Sequence, residues 1–233
     1  MDASRADELR QLAAEVTRMG GLAESQVADA VDCLAKRDTV MARQLIERDV
    51  RLDAMQADIE RRAISFIALH GPAGGDLRRA VSAMKLAMNL ERCGDLARNI
   101  AKRSLVLADA DPTSIMRAME RMGRLVSSRL NEVVDAYAVT DFDRALGVWR
   151  RDEEVDDHYE SLFRELLELM RQDSATVQTG AHLLFIAKNL ERIGDHATNI
   201  AEIIHFEITG EEITAERPKW SALDSPPKED LAL

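Results

Sequence analysis

Aromatic residues make up only 4% of this 233-residue chain, and there are just five prolines and two cysteines. A sheet-rich domain draws on aromatic and β-branched side chains. This chain is instead 46% hydrophobic, with few aromatics, and 31% charged, which is the balance of helices packed through aliphatic cores. Cys33 and Cys93 show neither the CxxC spacing of a zinc or redox site nor the density of a disulfide scaffold, so they read as buried thiols in a reducing compartment. No stretch of about 18 apolar residues exists to span a membrane, and the opening "MDASRADELR" offers no signal peptide. A cytoplasmic protein without direct membrane insertion is expected. Runs of lysine or arginine are missing as well, and with a net charge of -11 a phosphate backbone would be repelled. Nucleic acid is an unsuitable partner; a cation or a basic protein surface suits the charge.

What is present is helical periodicity. Segments 4–35, 39–70, 76–108, 113–139, 142–172 and 175–209 each place apolar residues at steps of three and four with no internal proline, which predicts six amphipathic helices and an all-α fold. Glycine and proline punctuate them at "HGPAGGD" and "DADPTS", where Asp or Ser can cap the next helix, and Asp173 and Ser174 are suited to cap the sixth. The strongest signal is a repeat. "NLERCGDLARNIA", ending at Ala101, returns as "NLERIGDHATNIA", ending at Ala201, and eleven of fifteen residues agree over 87–101 and 187–201. An internal duplication follows, dividing the chain into repeats at 1–109 and 110–210, each of three helices, and a polar, proline-bearing tail at 211–233 expected to be disordered. A fainter match aligns "RDVRLDAM" (48–55) with "RDEEVDDH" (151–158), placing Asp49 over Asp152 and Asp53 over Asp156. Each half then reads as a plain helix, a helix with DxxxD, and a helix with ExxxD.

The motif helices carry one apolar seam each, Ala83, Ala87, Leu90, Gly94, Ala97 and Ala101 on the third, and Leu183, Ala187, Leu190, Gly194, Ala197, Ala201 and Ile204 on the sixth. Glycine inside a helix costs about 1 kcal/mol relative to alanine, so its use at the same place twice implies close packing there. Glu91 with Asp95, and Glu191 with Asp195, fall one residue after seam positions and point the same way about 6 Å apart along the axis; Asn99 and Asn199 extend each stripe. If the DxxxD helices pack antiparallel against them, Asp49, Asp53, Glu91 and Asp95 converge in one half, and Asp152, Asp156, Glu191 and Asp195 in the other. Such convergence calls for a cation. All-oxygen ligands suit Mg²⁺, Mn²⁺, Ca²⁺ or iron, and zinc less, with His158 and His196 close enough in sequence to take part. The competing reading is a solvated face salt-bridged to Arg92, Arg192, Arg98 or Arg151. A ferritin-like di-metal carboxylate enzyme is the alternative function, although that fold needs Glu-x-x-His on each of two helices and only Glu202 and His205 supply the spacing. The chain shows no nucleophile elbow, phosphate loop or dinucleotide fingerprint, so no enzyme is expected.

With its duplicated NLERxGDxxxNIA, six helices in two three-helix bundles and upstream DxxxD, the chain up to about Gly210 resembles the PhoU family. That resemblance implies a cytoplasmic accessory protein of the phosphate ABC transporter that represses phosphate-starvation signalling by contacting the transporter ATPase and a membrane sensor histidine kinase. It also implies a homodimer, and metal clusters held by the E/DxxxD pairs, which here are Asp49 with Asp53, Glu91 with Asp95, Asp152 with Asp156, and Glu191 with Asp195.

Overall fold

The structure, a computed structural model, describes residues 3–109 and 114–214. It is all helical, with no strand among the described residues. The six expected rods are present, and two of them are broken. In chain order they are α1 (Ala3–Lys36), α2 (Thr39–Arg48) with α3 (Val50–His70), α4 (Gly75–Val106), α5 (Ser114–Val139), α6 (Phe142–Trp149) with α7 (Glu153–Gln172), and α8 (Val177–Thr209), the last preceded by a 3₁₀ turn at Ser174–Thr176.

Local chemistry sets these limits in the same way in both halves. After α1, Arg37 takes the left-handed conformation (φ 55°) and Asp38 accepts from the N–H groups of Val40 and Met41 at 3.0 and 2.9 Å; after α5, Thr140 (φ 57°) and Asp141 repeat the device, Asp141 accepting from Arg144 N–H at 3.0 Å. Asp173 caps the 3₁₀ turn through Ala175 N–H at 2.9 Å, but Ser174 lies inside that turn and α8 itself starts from Thr176 without a side-chain cap, so the expected capping serves the turn rather than the sixth helix. The expected aspartate cap after "HGPAGG" is not: the N-cap is Gly74, and Asp76 sits in the first turn of α4, paired with Arg5 at 3.0 Å. Of the segment expected as a tail, 215–233 lies outside the described residues, while 211–214 is non-helical and Ile213 packs against the core.

The two bundles share a single core. α4 and α8 cross antiparallel at its centre, so Arg103 faces His182 and Asn89 faces His196 and Asn199. Every seam residue expected on these two helices is buried. Each fully buried Leu, Ile or Val adds about 1.5–3 kcal/mol of hydrophobic stabilisation, and the contiguous cluster runs from α1 to α8. α1 and α5 close it from the other side through a reciprocal contact: a Cβ on Gly20 would lie 2.7 Å from Val134, and one on Gly123 would lie 2.7 Å from Val31. These residues belong to a third repeat that reading α1 and α5 as plain helices passes over, Arg18-Met19-Gly20-x-Leu22 returning as Arg121-Met122-Gly123-x-Leu125. Cys33 and Cys93 are buried free thiols, both pushed upward by desolvation, Cys33 to about 11.

Candidate metal centre

The two breaks position the candidate ligands. Asp49 stands between α2 and α3 with αR backbone (φ -58°, ψ -37°), and Asp152 stands before α7 in nearly the same conformation (φ -56°, ψ -44°). At each, the N–H three residues on bonds back to the aspartate carbonyl, Leu52 to Asp49 at 2.9 Å and Val155 to Asp152 at 3.0 Å, which tightens the turn and aims the carboxylate inward. Both are buried, at 2% and 7% exposure. The seam glycines open the room they need. A Cβ on Gly94 would lie 2.3 Å from Leu52 and 3.5 Å from Asp49 Oδ1, and one on Gly194 would lie 3.0 Å from Val155.

In the first half, Asp49, Asp53 and Asp95 each bring one carboxylate oxygen within 4.8 Å of the others. Glu91 lies beside them, and burial, then Asp95, raises its pKa against the opposing pull of Arg92. Two arginines stand among these acids. Arg98 pairs with Asp49 and, at 2.8 Å, with Asp95, while Arg92 reaches Glu91 at 3.5 Å and Asp95 at 3.3 Å. Even so, burial outweighs Arg98 and raises the Asp49 carboxyl above its ordinary value.

In the second half the four acids feel one another, although no three of them come within 4.8 Å among the described residues. Burial pushes the Asp156 carboxyl up to about 6, followed by the charges of Asp152, Glu191 and Asp195, with Lys188 opposing. Burial likewise raises Glu191 despite a 2.7 Å hydrogen bond from Lys188 Nζ to its Oε1. Its other oxygen, Oε2, is buried with no hydrogen-bond partner. At the position of Arg98 this half has Thr198, whose hydroxyl donates to Asp152 Oδ1 at 2.7 Å.

Of the residues read as possible further ligands, His196 and Asn199 are drawn into the α4–α8 contact: His196 Nδ1 lies 2.9 Å from Asn89 Oδ1, and Asn199 donates to the same oxygen at 3.4 Å. Burial, then Arg192, keeps the His196 ring below its ordinary pKa. Asn99 is half-buried and His158 exposed. Of the arginines expected to salt-bridge a solvated face, Arg92 and Arg98 engage the first cluster, whereas Arg151 bonds Glu132 at 2.6 Å. Sequence reasoning missed Lys188 and Thr198; both stand inside the repeated motif at positions where its copies disagree, which is the signal that could have found them.

The ferritin-like alternative finds no support. Its single Glu-x-x-His is committed elsewhere, Glu202 accepting from Trp149 Nε1 at 3.0 Å and His205 tilting against Phe142 with ring centroids 5.2 Å apart. What the acids offer is a trio of carboxylates in the first half and a looser group of four in the second, oxygen donors of the kind that hard cations take.

Comparison with known proteins agrees with the duplication. The PhoU domain matches twice, over residues 16–104 and 119–204. A phosphate-specific transport system accessory protein PhoU homolog from Caulobacter vibrioides is 59% identical, covering 94% of this chain and 96% of the relative, and one from Rhizobium meliloti is 44% identical, covering 91% and 90%. Among solved structures, PhoU from Pseudomonas aeruginosa superposes with a TM-score of 0.86 at 34% identity, covering 88% of this chain and 99% of that one. The phosphate transport system regulatory protein PhoU from Streptococcus pneumoniae gives 0.84 at 29%, covering 91% and 100%. Carrying the domain in each half across one shared core, the chain is a member of the PhoU family.

Proposed function

We propose that this protein is a cytoplasmic, metal-binding regulatory adaptor of phosphate uptake rather than an enzyme. It represses phosphate-starvation signalling by contacting the ATPase of a phosphate ABC transporter and a membrane sensor histidine kinase, and it works as a homodimer. The relatives named as accessory proteins of the phosphate-specific transport system support the setting. The observation that carries the metal reading is the pair of clusters at equivalent places in the duplicated fold, each four acids on two helices. The residues present fit a hard divalent or trivalent ion such as Mg²⁺, Mn²⁺, Ca²⁺ or iron. Three carboxylates lie within 4.8 Å in one half, and in the other a buried carboxylate oxygen of Glu191 lacks a hydrogen-bond partner. Asp49, Asp53, Glu91 and Asp95 would hold one ion or cluster, and Asp152, Asp156, Glu191 and Asp195 the other. The ion supplies positive charge that relieves the acids. The chain's own part is to fasten α3 to α4 and α7 to α8, fixing the surface offered to partners.

The test compares the native protein with the variant Glu91→Gln/Asp95→Asn/Glu191→Gln/Asp195→Asn. Elemental analysis of purified protein should find metal in the first and little in the second, and cells carrying only the variant should express phosphate-scavenging genes in rich phosphate. Equal metal content together with intact repression would reject this function.

A further inference from the structure

The two clusters differ most at one repeated position, 98 in the first half and 198 in the second. Arg98 spreads its guanidinium across acids of two different elements, one nitrogen on Asp49 at the break before α3 and the other 2.8 Å from Asp95 on α4. Asp53 completes this trio within 4.8 Å, so the charged end of Arg98 lies among the oxygens a metal would use. Its grip is incomplete, because Arg98 Nε is buried without a hydrogen-bond partner. The neighbouring Gln26, whose amide lies 3.0 Å from where a Cβ on Gly94 would be, adds no charge. Thr198 holds Asp152 through a neutral hydroxyl instead.

We propose that Arg98 is the resident counter-ion of the first cluster: its guanidinium holds the place of a divalent cation between Asp49 and Asp95, and metal enters only as Arg98 leaves. This rests on the metal-binding reading above. Two positive centres cannot share oxygens within 4.8 Å of one another without strong mutual repulsion. The arginine therefore lets the acids converge without metal and weakens the cluster's hold on metal by the same amount of charge. Position 98 sets the affinity of the first cluster, and the free Arg98 side chain becomes the outward sign of its loading.

The experiment isolates the first cluster in a full-length Glu191→Gln/Asp195→Asn background and titrates Mn²⁺ by calorimetry and electron paramagnetic resonance. Arg98→Thr, and Arg98→Gln, which keeps length and hydrogen bonding without charge, should each bind Mn²⁺ at least tenfold more tightly than the parent. In chelator both should melt below the parent, and saturating Mn²⁺ should close that gap. Unchanged or weaker Mn²⁺ binding by a folded variant overturns the proposal, since Arg98 would then serve to gather the ligands. That outcome is told apart from failure of the metal reading by the native chain, whose second cluster still binds Mn²⁺ in the first case; an absence of Mn²⁺ binding by the native chain overturns both.

Discussion

The first-half and second-half clusters are built on one plan and balanced differently. Each sets a buried aspartate at a helix break against an ExxxD stripe beside a seam glycine. In the first, Arg92 and Arg98 stand within 4 Å of the acids and three carboxylates draw together. In the second, Lys188 bonds Glu191, Thr198 bonds Asp152, and burial among like charges pushes Asp156 up to about 6. The difference teaches that duplication preserves backbone geometry more faithfully than charge balance. Glycine and the inward aspartate recur where the helices meet this closely, whereas the counter-charge comes from Arg92 and Arg98 in one half and from Lys188 in the other.

Metal removal should test the comparison with the largest effect. A site saturated at a hundred times its dissociation constant adds about 2.7 kcal/mol, or several degrees of melting temperature at this chain length. Disabling the second cluster with Glu191→Gln/Asp195→Asn should remove more of the Mn²⁺-induced gain than disabling the first with Glu91→Gln/Asp95→Asn, because binding at the first must displace Arg98. Equal losses in calorimetric scans would erase the distinction.

Next in size are the seam glycines. Gly94→Ala drives a methyl to 2.3 Å from fully buried Leu52, against 3.0 Å from Val155 for Gly194→Ala. Overpacking of this kind costs about 1–3 kcal/mol, and the helix gains about 1 kcal/mol from alanine. Urea unfolding should find Gly94→Ala clearly destabilised and Gly194→Ala within about 1 kcal/mol of the native chain. The reverse order would mean that the first half is the looser one.

The smallest effect serves as a control for acidity outside both clusters. Glu207, near the end of α8, lines a cavity of about 350 Å³ with Leu9 and Leu12 of α1, Arg79 and Ala83 of α4, and Tyr137 of α5. Burial raises its carboxyl from 4.5 to about 7, with Arg79 opposing. Since the folded pKa is the higher one, this group's contribution to stability is full below about 4.5 and is lost as pH rises through about 7. Glu207→Gln should therefore match the native protein near pH 4 and melt a few degrees higher near pH 8, with or without chelator. A difference that disappears on adding Mn²⁺ would assign the pH dependence to the clusters instead.

Much of this was legible in the residues. The seams of α4 and α8 follow from a period of 3.6, and every position read as buried is buried. The eight acids stand out because their spacing recurs. The breaks were not legible: neither Asp49 nor Asp152 is flanked by glycine or proline, and both keep helical dihedrals, so the pattern on either side reads as continuous. His196 looked available as a ligand because it adjoins Asp195, yet a step of one residue turns it toward Asn89 on α4. Arg98 looked like one of four arginines that could shield a solvated face, and nothing in its spacing says that it reaches across to Asp49.

By itself the sequence determined the all-helical class, the duplication, the apolar seams and the acids beside them, because these depend on periodicity and composition within single helices. The tertiary structure alone decided how the halves merge into one core, where the rods break, and which cation stands among which carboxylates. Those outcomes depend on distances between residues far apart in the chain, and electrostatic and packing energies are set by those distances rather than by order along the backbone.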